Sequence, residues 1–204
     1  MNPQLAALAV HDLKNELGAL EGQLAALEAA PDAALAAAAR RHCAQLRRRF
    51  VAFLLLYRDN SELHALAADE SPHEFLRGIV AGAGEGGASV PTRLGACAGA
   101  PPFWFFDTRL LRLALDSAVH NAWRFARSEV RVDVGMEGDF LVISIDDDGP
   151  GLGADETGGQ AWSTGLGTEL CRAVAHAHSH GGRDGWVRLS DRPQGGARFE
   201  IGLP

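Results

Sequence analysis

Between residues 13 and 27, leucines recur at Leu13, Leu17, Leu20, Leu24 and Leu27, spaced 4, 3, 4 and 3 apart. That rhythm suits an α-helix carrying a narrow apolar stripe. Residues 3–30 read as one such helix, since Ala and Leu, both strong helix formers, dominate them. Pro31-Asp32 interrupts the pattern, and Asp32 is placed to cap a second helix. Residues 33–68 supply that helix, with Leu35, Cys43, Leu46, Phe50, Phe53, Leu54, Tyr57, Leu63 and Leu66 along it. Two long helices joined by so short a turn form an antiparallel hairpin. A hairpin cannot bury its stripe alone, so the expected remedy is pairing with a second copy into a four-helix bundle.

The texture changes near Ser71-Pro72. Residues 73–81 predict a short helix, 88–97 a strand, 103–106 a strand or turn, and 107–127 a longer helix. Arg131–Gly135 and Phe140–Asp146 alternate as strands around a turn at Glu137-Gly138. Gly149 to Gly167 is a loop punctuated by glycine, 168–180 a helix, and Trp186–Ser190 and Ala197–Leu203 closing strands. The fold class expected is α+β, a helical hairpin over 1–70 followed by a mixed sheet with helices on one face over 71–204.

Composition narrows the partners. The formal charge of -7 argues against general nucleic-acid binding. An Arg cluster at Arg40, Arg41, Arg47, Arg48 and Arg49 is the local exception, read as a solvated helix face or a surface for an acidic partner. No run approaches 18 apolar residues, so no membrane span is expected. The opening residues lack a basic leader, and three scattered cysteines fit a reducing cytoplasm.

On a helical wheel centred on Leu13, the leucine stripe falls within about 40°, whereas His11 sits about 160° away. His11 therefore faces water. Asn15 shares its face one turn on, and Asp12 is adjacent. Phosphoryl transfer to a histidine needs one unprotonated ring nitrogen, and a carboxylate at the other nitrogen fixes that tautomer. A surface His beside an Asp is, taken alone, usually nothing more.

Three segments further on suit a nucleotide. His120-Asn121-Ala122-Trp123-Arg124 lies on a helix, where an Asn can offer an amide oxygen to Mg²⁺ and Arg124 can reach phosphate. An apolar strand runs into Asp146-Asp147-Asp148-Gly149-Pro150-Gly151, where a carboxylate can accept from an adenine amino group and glycines admit close backbone approach. Ser163-Thr164-Gly165-Leu166-Gly167-Thr168 opens a helix, whose N–H groups suit an anion. The closing Gly195-Gly196-Ala197 hairpin reads as structural. His176, His178 and His180 bring no Cys or carboxylate with them, which makes a metal site there a poor bet.

In this order the segments resemble the two-component histidine kinase family over nearly the whole chain. His11-Asp12-Leu13-Lys14-Asn15 looks like its H-box, and Asn121 with Ala122 and Arg124 like its N-box. Asp147, Gly149, Pro150 and Gly151 look like the first glycine box, and Gly165-Leu166-Gly167 like the second. The resemblance implies a dimeric phosphotransfer hairpin followed by an α/β sandwich of the histidine kinase/Hsp90 ATPase type. It implies His11 as acceptor, Asp12 as activating base and Asn15 as the residue used to dephosphorylate a partner. It also implies Asn121 as Mg²⁺ ligand, Arg124 on phosphate and Asp147 on adenine. ATP and Mg²⁺ are the implied cofactors. The implied partners are a second copy, a response-regulator receiver domain and an upstream sensor, since no sensor precedes the first helix here.

Four departures accompany the resemblance. Glu16 stands where the family often has a kinking proline, and Ser117 where it commonly has a second Asn. Ser163 and Thr168 replace a glycine and a leucine of the second glycine box, and the segment between the glycine boxes is short. These differences keep two alternatives open, a standalone histidine phosphotransferase with a degenerate ATP site and a non-catalytic scaffold.

Overall fold

The structure, a computed structural model, describes residues 3–57, 63–85, 90–152 and 166–204. It separates into two compact units, one of residues 1–61 and 162–169 and one of residues 62–161 and 170–204.

The first unit is a hairpin of α1 (Pro3–Ala29) and α2 (Ala33–Tyr57). Asp32 caps α2 as expected, its Oδ1 accepting the Leu35 N–H at 2.6 Å. Leu20, Ala39, Ala52 and Phe53 are buried, and Leu166 packs with Phe53 against Leu13 and Leu56. Glu16, at the position of the family's proline, leaves α1 unbroken and forms an ion pair with Arg49 on α2. Arg49 is thus an internal tie of the hairpin rather than part of a solvated basic face. Two of the five leucines of the stripe stay open, Leu17 and Leu24, each 48% exposed.

The expected second helix is corrected at its end: α2 is described as Ala33–Tyr57, residues 58–62 lie outside the described residues, and residues 63–67 are irregular. Leu63 and Leu66 therefore do not extend its stripe. The Leu66 N–H instead donates to Asp107 Oδ2 at 2.9 Å, a long-range tie that helical periodicity cannot announce.

The second unit holds β1 (Ala68–Glu70), α3 (Pro72–Glu85), β2 (Thr92–Leu94), β3 (Trp104–Phe106), α4 (Thr108–Phe125), β4 (Val130–Glu137), β5 (Phe140–Asp147), β6 (Trp186–Asp191) and β7 (Ala197–Leu203). One further helix, α5 (Leu166–Ala177), begins in the first unit and continues into the second. β1 pairs with β3 as a small antiparallel ribbon. The main sheet runs β2-β4-β5-β7-β6, with β2 parallel to β4 and every other pair antiparallel.

Strand alternation builds the core. Val130, Val132 and Val134 of β4, Leu141, Ile143 and Ile145 of β5, and Ile201 and Leu203 of β7 are all buried. Their helical counterparts are Leu76 and Ile79 of α3, Leu111, Ala114, Leu115, Ala118 and Val119 of α4, and Leu170 and Val174 of α5. α4 is capped by Asp107, whose Oδ1 accepts the N–H groups of Arg109 and Leu110. Among the described residues, no helix is long and apolar enough to cross a membrane.

Candidate nucleotide and phosphoacceptor sites

His11 is exposed on α1, as its place opposite the leucine stripe requires; its side chain is 67% accessible. Both neighbours named from the sequence approach the same ring nitrogen. Asn15 Nδ2 lies 3.3 Å from His11 Nδ1, and Asp12 Oδ1 lies 3.6 Å from it. Nε2 meets neither of them. As placed, Asn15 can only donate toward Nδ1, whereas a proton on Nδ1 directed at Asp12 would leave the lone pair on Nε2. That is the tautomer a phosphoryl acceptor needs.

The second unit gathers two of the nucleotide segments. On α4 the buried stripe Leu111, Ala114, Leu115, Ala118, Val119 and Ala122 faces the sheet. Ser117, Asn121 and Arg124, spaced 4 and 3 apart, line one flank of that stripe and are half-buried. The Asn121 amide has no hydrogen-bond partner among the described residues. The Arg124 guanidinium lies over the Phe125 ring, 5.4 Å from its centroid.

The strand carrying the carboxylates ends against this helix. Gly149 is required there, because a Cβ would collide with the Phe125 carbonyl at the end of α4. Gly151 adopts φ +91, which L side chains rarely take, and lies against Asp191. The first glycine box and the Asn-bearing helix are thereby held in backbone contact.

Asp146, Asp147 and Asp148 divide their work by the alternation of β5. Asp147 shares the face of Leu141, Ile143 and Ile145, toward the helices, and is buried. Its Oδ1 accepts the N–H groups of Gly149 at 2.8 Å and Ala197 at 3.2 Å. Among the described residues its Oδ2 carries no hydrogen bond. Asp146, on the other face, is held bidentate by Arg198 at 2.7 and 2.6 Å. Asp148 accepts the Arg127 and Ser128 N–H groups and the Ser128 hydroxyl. The Ser128 hydroxyl above all, then the backbone N–H groups, hold its carboxyl far below the usual carboxylate range.

Of the second glycine box, Leu166 and Gly167 open α5, while Gly165, Ser163 and the segment between the glycine boxes lie outside the described residues. Sequence reasoning passed over two further groups, Asp107 and Arg192, and weighed a third, His178, only as a metal ligand. Asp107 and His178 form a buried pair in which the Asp107 N–H donates to His178 Nε2 at 2.9 Å and His178 Nδ1 bonds the Val174 carbonyl at 2.7 Å. Burial pushes the His178 pKa down, only partly offset by that carbonyl and by Asp107. Arg192, in the β6–β7 turn, donates to the Asp147 carbonyl at 2.5 Å. The Asp before α4 was legible as a cap; His178 and Arg192 had no local signal.

A sandwich of this topology, with an Asn-bearing helix packed on a buried Asp and a glycine turn, defines a class. Residues 106–204 match the histidine kinase-, DNA gyrase B- and HSP90-like ATPase family. The relatives are more particular. The sensor histidine kinase CpxA of Escherichia coli is 31% identical over 112 residues, covering 46% of this chain and 22% of its own length. The sensor protein KdpD of Escherichia coli is 29% identical over 225 residues, covering 100% of this chain and 24% of its own. The chain thus spans about a quarter of the length of these curated relatives.

Among solved structures, the Acinetobacter baumannii histidine kinase AdeS superposes with a TM-score of 0.68 at 18% identity, over 95% of this chain and 96% of that one. Histidine kinase ThkA, solved in complex with response regulator protein TrrA, gives 0.69 at 15% identity, over 99% of this chain and 61% of that one. The fold is that of these kinases, residues 106–204 belong with the histidine kinase-, DNA gyrase B- and HSP90-like ATPases, and the sequence relatives are sensor histidine kinases.

Proposed function

We propose that this chain is the kinase core of a cytoplasmic two-component protein, with residues 1–70 as phosphotransfer hairpin and 71–204 as ATP-binding domain. In this reading it moves the γ-phosphoryl group of ATP to His11 and from there to an aspartate of a response-regulator receiver domain. The observation that carries the reading is the geometry at His11. Its ring is exposed, both polar neighbours stand at Nδ1, and Nε2 is left to attack.

The lone pair of Nε2 forms the N–P bond as the bond from γ-phosphorus to the β–γ bridging oxygen breaks and ADP departs. The ring gains positive charge as that bond forms, and Asp12 accepts the Nδ1 proton and steadies the charge. Asp147 orients the adenine through its unoccupied oxygen, and Arg124 meets phosphate. Asn121 suits Mg²⁺, because its half-buried amide is free of partners among the described residues. Bound there, the ion would screen the phosphate charge. Positioning and charge stabilisation are what a protein supplies to such a transfer. In the reverse direction Asn15, one turn from His11, orients water for hydrolysis of the phosphorylated regulator.

Purified protein incubated with Mg²⁺ and γ-labelled ATP should gain acid-labile, alkali-stable phosphate, and His11→Gln should gain none. Asn15→Ala should keep its label yet dephosphorylate the regulator more slowly. Ser117, where the family commonly offers a second Asn, favours one other reading, a phosphotransferase that takes phosphate from a regulator. No label from ATP, together with label from a phosphorylated regulator, would establish that reading and sink the kinase.

A further inference from the structure

The β6–β7 turn grips the segment that carries Asp147. Asp191 Oδ1 accepts the Leu152 N–H at 2.6 Å. Arg192 Nη1 donates to the Asp147 carbonyl at 2.5 Å, while its Nε stands 3.4 Å from Asp146 Oδ2. Gly196, with φ +88, rests on the same carbonyl, leaving no room for a Cβ. The Ala197 N–H donates to the Asp147 carboxylate at 3.2 Å. The turn thus holds the main chain and the side chain of Asp147 at once.

Arg192 is not needed to neutralise Asp146, which already has two bonds from Arg198. At 3.4 Å its Nε contact to Asp146 is electrostatic rather than a hydrogen bond (that nitrogen is buried and has no hydrogen-bond partner). What Arg192 adds is a hold on the peptide following Asp147. A rotation of that peptide tilts the carboxylate, and a hydrogen bond from Oδ2 weakens steeply with angle.

We propose that Arg192 is a positioning residue for nucleobase selection. Its guanidinium, lodged between Asp146 and the Asp147 carbonyl, sets the direction in which Asp147 presents Oδ2. A well-aimed carboxylate favours a base bearing an exocyclic amino group and repels one bearing a carbonyl at that place, so the device selects adenine over guanine nucleotides. The inference rests on the reading of Asp147 as the base-reading carboxylate.

The test is calorimetric titration of the full chain with ADP and with GDP in Mg²⁺, for wild type, Arg192→Gln, Arg192→Lys and Asp147→Ala, with thermal unfolding alongside. Arg192→Gln should weaken ADP about tenfold, the scale of one charge-assisted hydrogen bond, while GDP changes little. Arg192→Lys, which keeps a charged donor, should restore most of the preference even if Arg192→Gln folds poorly. Equal weakening of both nucleotides, or an unchanged preference in Arg192→Gln, would overturn the proposal and leave Arg192 a stabiliser of the turn. A preference unchanged in Asp147→Ala, or a wild type that binds neither nucleotide, would overturn the reading of Asp147 and the proposal with it.

Discussion

Three consecutive carboxylates, Asp146, Asp147 and Asp148, meet three different environments within a few ångströms of chain. Asp148 is the most tightly held. It ties the loop after α4 to the end of β5 through Ser128 and the N–H groups of Arg127 and Glu129. Replacing it by Ala should cost about 1–2 kcal/mol, as the loss of an N-cap does. For a chain of this size that lowers Tm by roughly 3–6 °C in a thermal scan. Because its folded pKa is depressed, the contribution is complete above the unfolded carboxylate range and is lost only as pH falls through the folded value.

His178 titrates nearer neutrality. An unfolded His binds its proton near pH 6.5, whereas burial makes the folded one bind it only at lower pH. Between those values the unfolded chain holds more protons, so stability is full above about 6.5 and falls as pH drops below it. Protonation would also remove the acceptor for the Asp107 N–H. Thermal scans from pH 7.5 to 5.5 should show a declining Tm. His178→Gln should be less stable at pH 7.5 and should lose that part of the decline; an undiminished slope would show that other groups cause it.

At the scale of elements, legibility followed the length of the local pattern. The leucine stripe gave α1, and the buried flank of α4 and the alternation of β4, β5 and β7 were equally plain. β1 was not, for it is three residues long and among the described residues it pairs with β3, 34 to 38 positions away. The overextended second helix has the same origin, since residues 63–67 are held by Asp107 and by Ala177 rather than by neighbours in sequence. In the candidate site, the residues on local motifs, Asn121, Asp147 and Gly149, could be found by spacing. Arg192 could not, since its partner lies 45 residues distant. One element-scale prediction concerns α4. Ser117 lies one turn before Asn121 on the same flank, so Ser117→Asn adds a second amide oxygen beside the first. It should tighten Mg²⁺-dependent ADP binding several-fold in a calorimetric titration, and no gain would mean that this flank does not face the ion.

For the molecule as a whole, the hairpin leaves an apolar surface that its own two helices do not cover. Leu17 and Leu24 on α1 and Phe50, Leu54 and Tyr57 on α2 are each 47–60% exposed. Where exposed apolar side chains form a contiguous patch, the patch marks a surface that another one covers. A second hairpin is the simplest cover, because the stripe is complementary to itself when two copies pack antiparallel about a twofold axis. The Glu16–Arg49 pair already ties the two helices of one copy, and these leucines stay open in it. If a second copy covers this surface, Leu17→Glu and Leu24→Glu together shift the protein from dimer to monomer in light scattering, with the fold of the second unit retained by circular dichroism. Two charges placed in an apolar seam disrupt it far more than they disturb a single hairpin, where both positions are already half in water. A wild type that is monomeric at micromolar concentration, or a double variant that stays dimeric, would show that these leucines meet something other than a second copy of this chain.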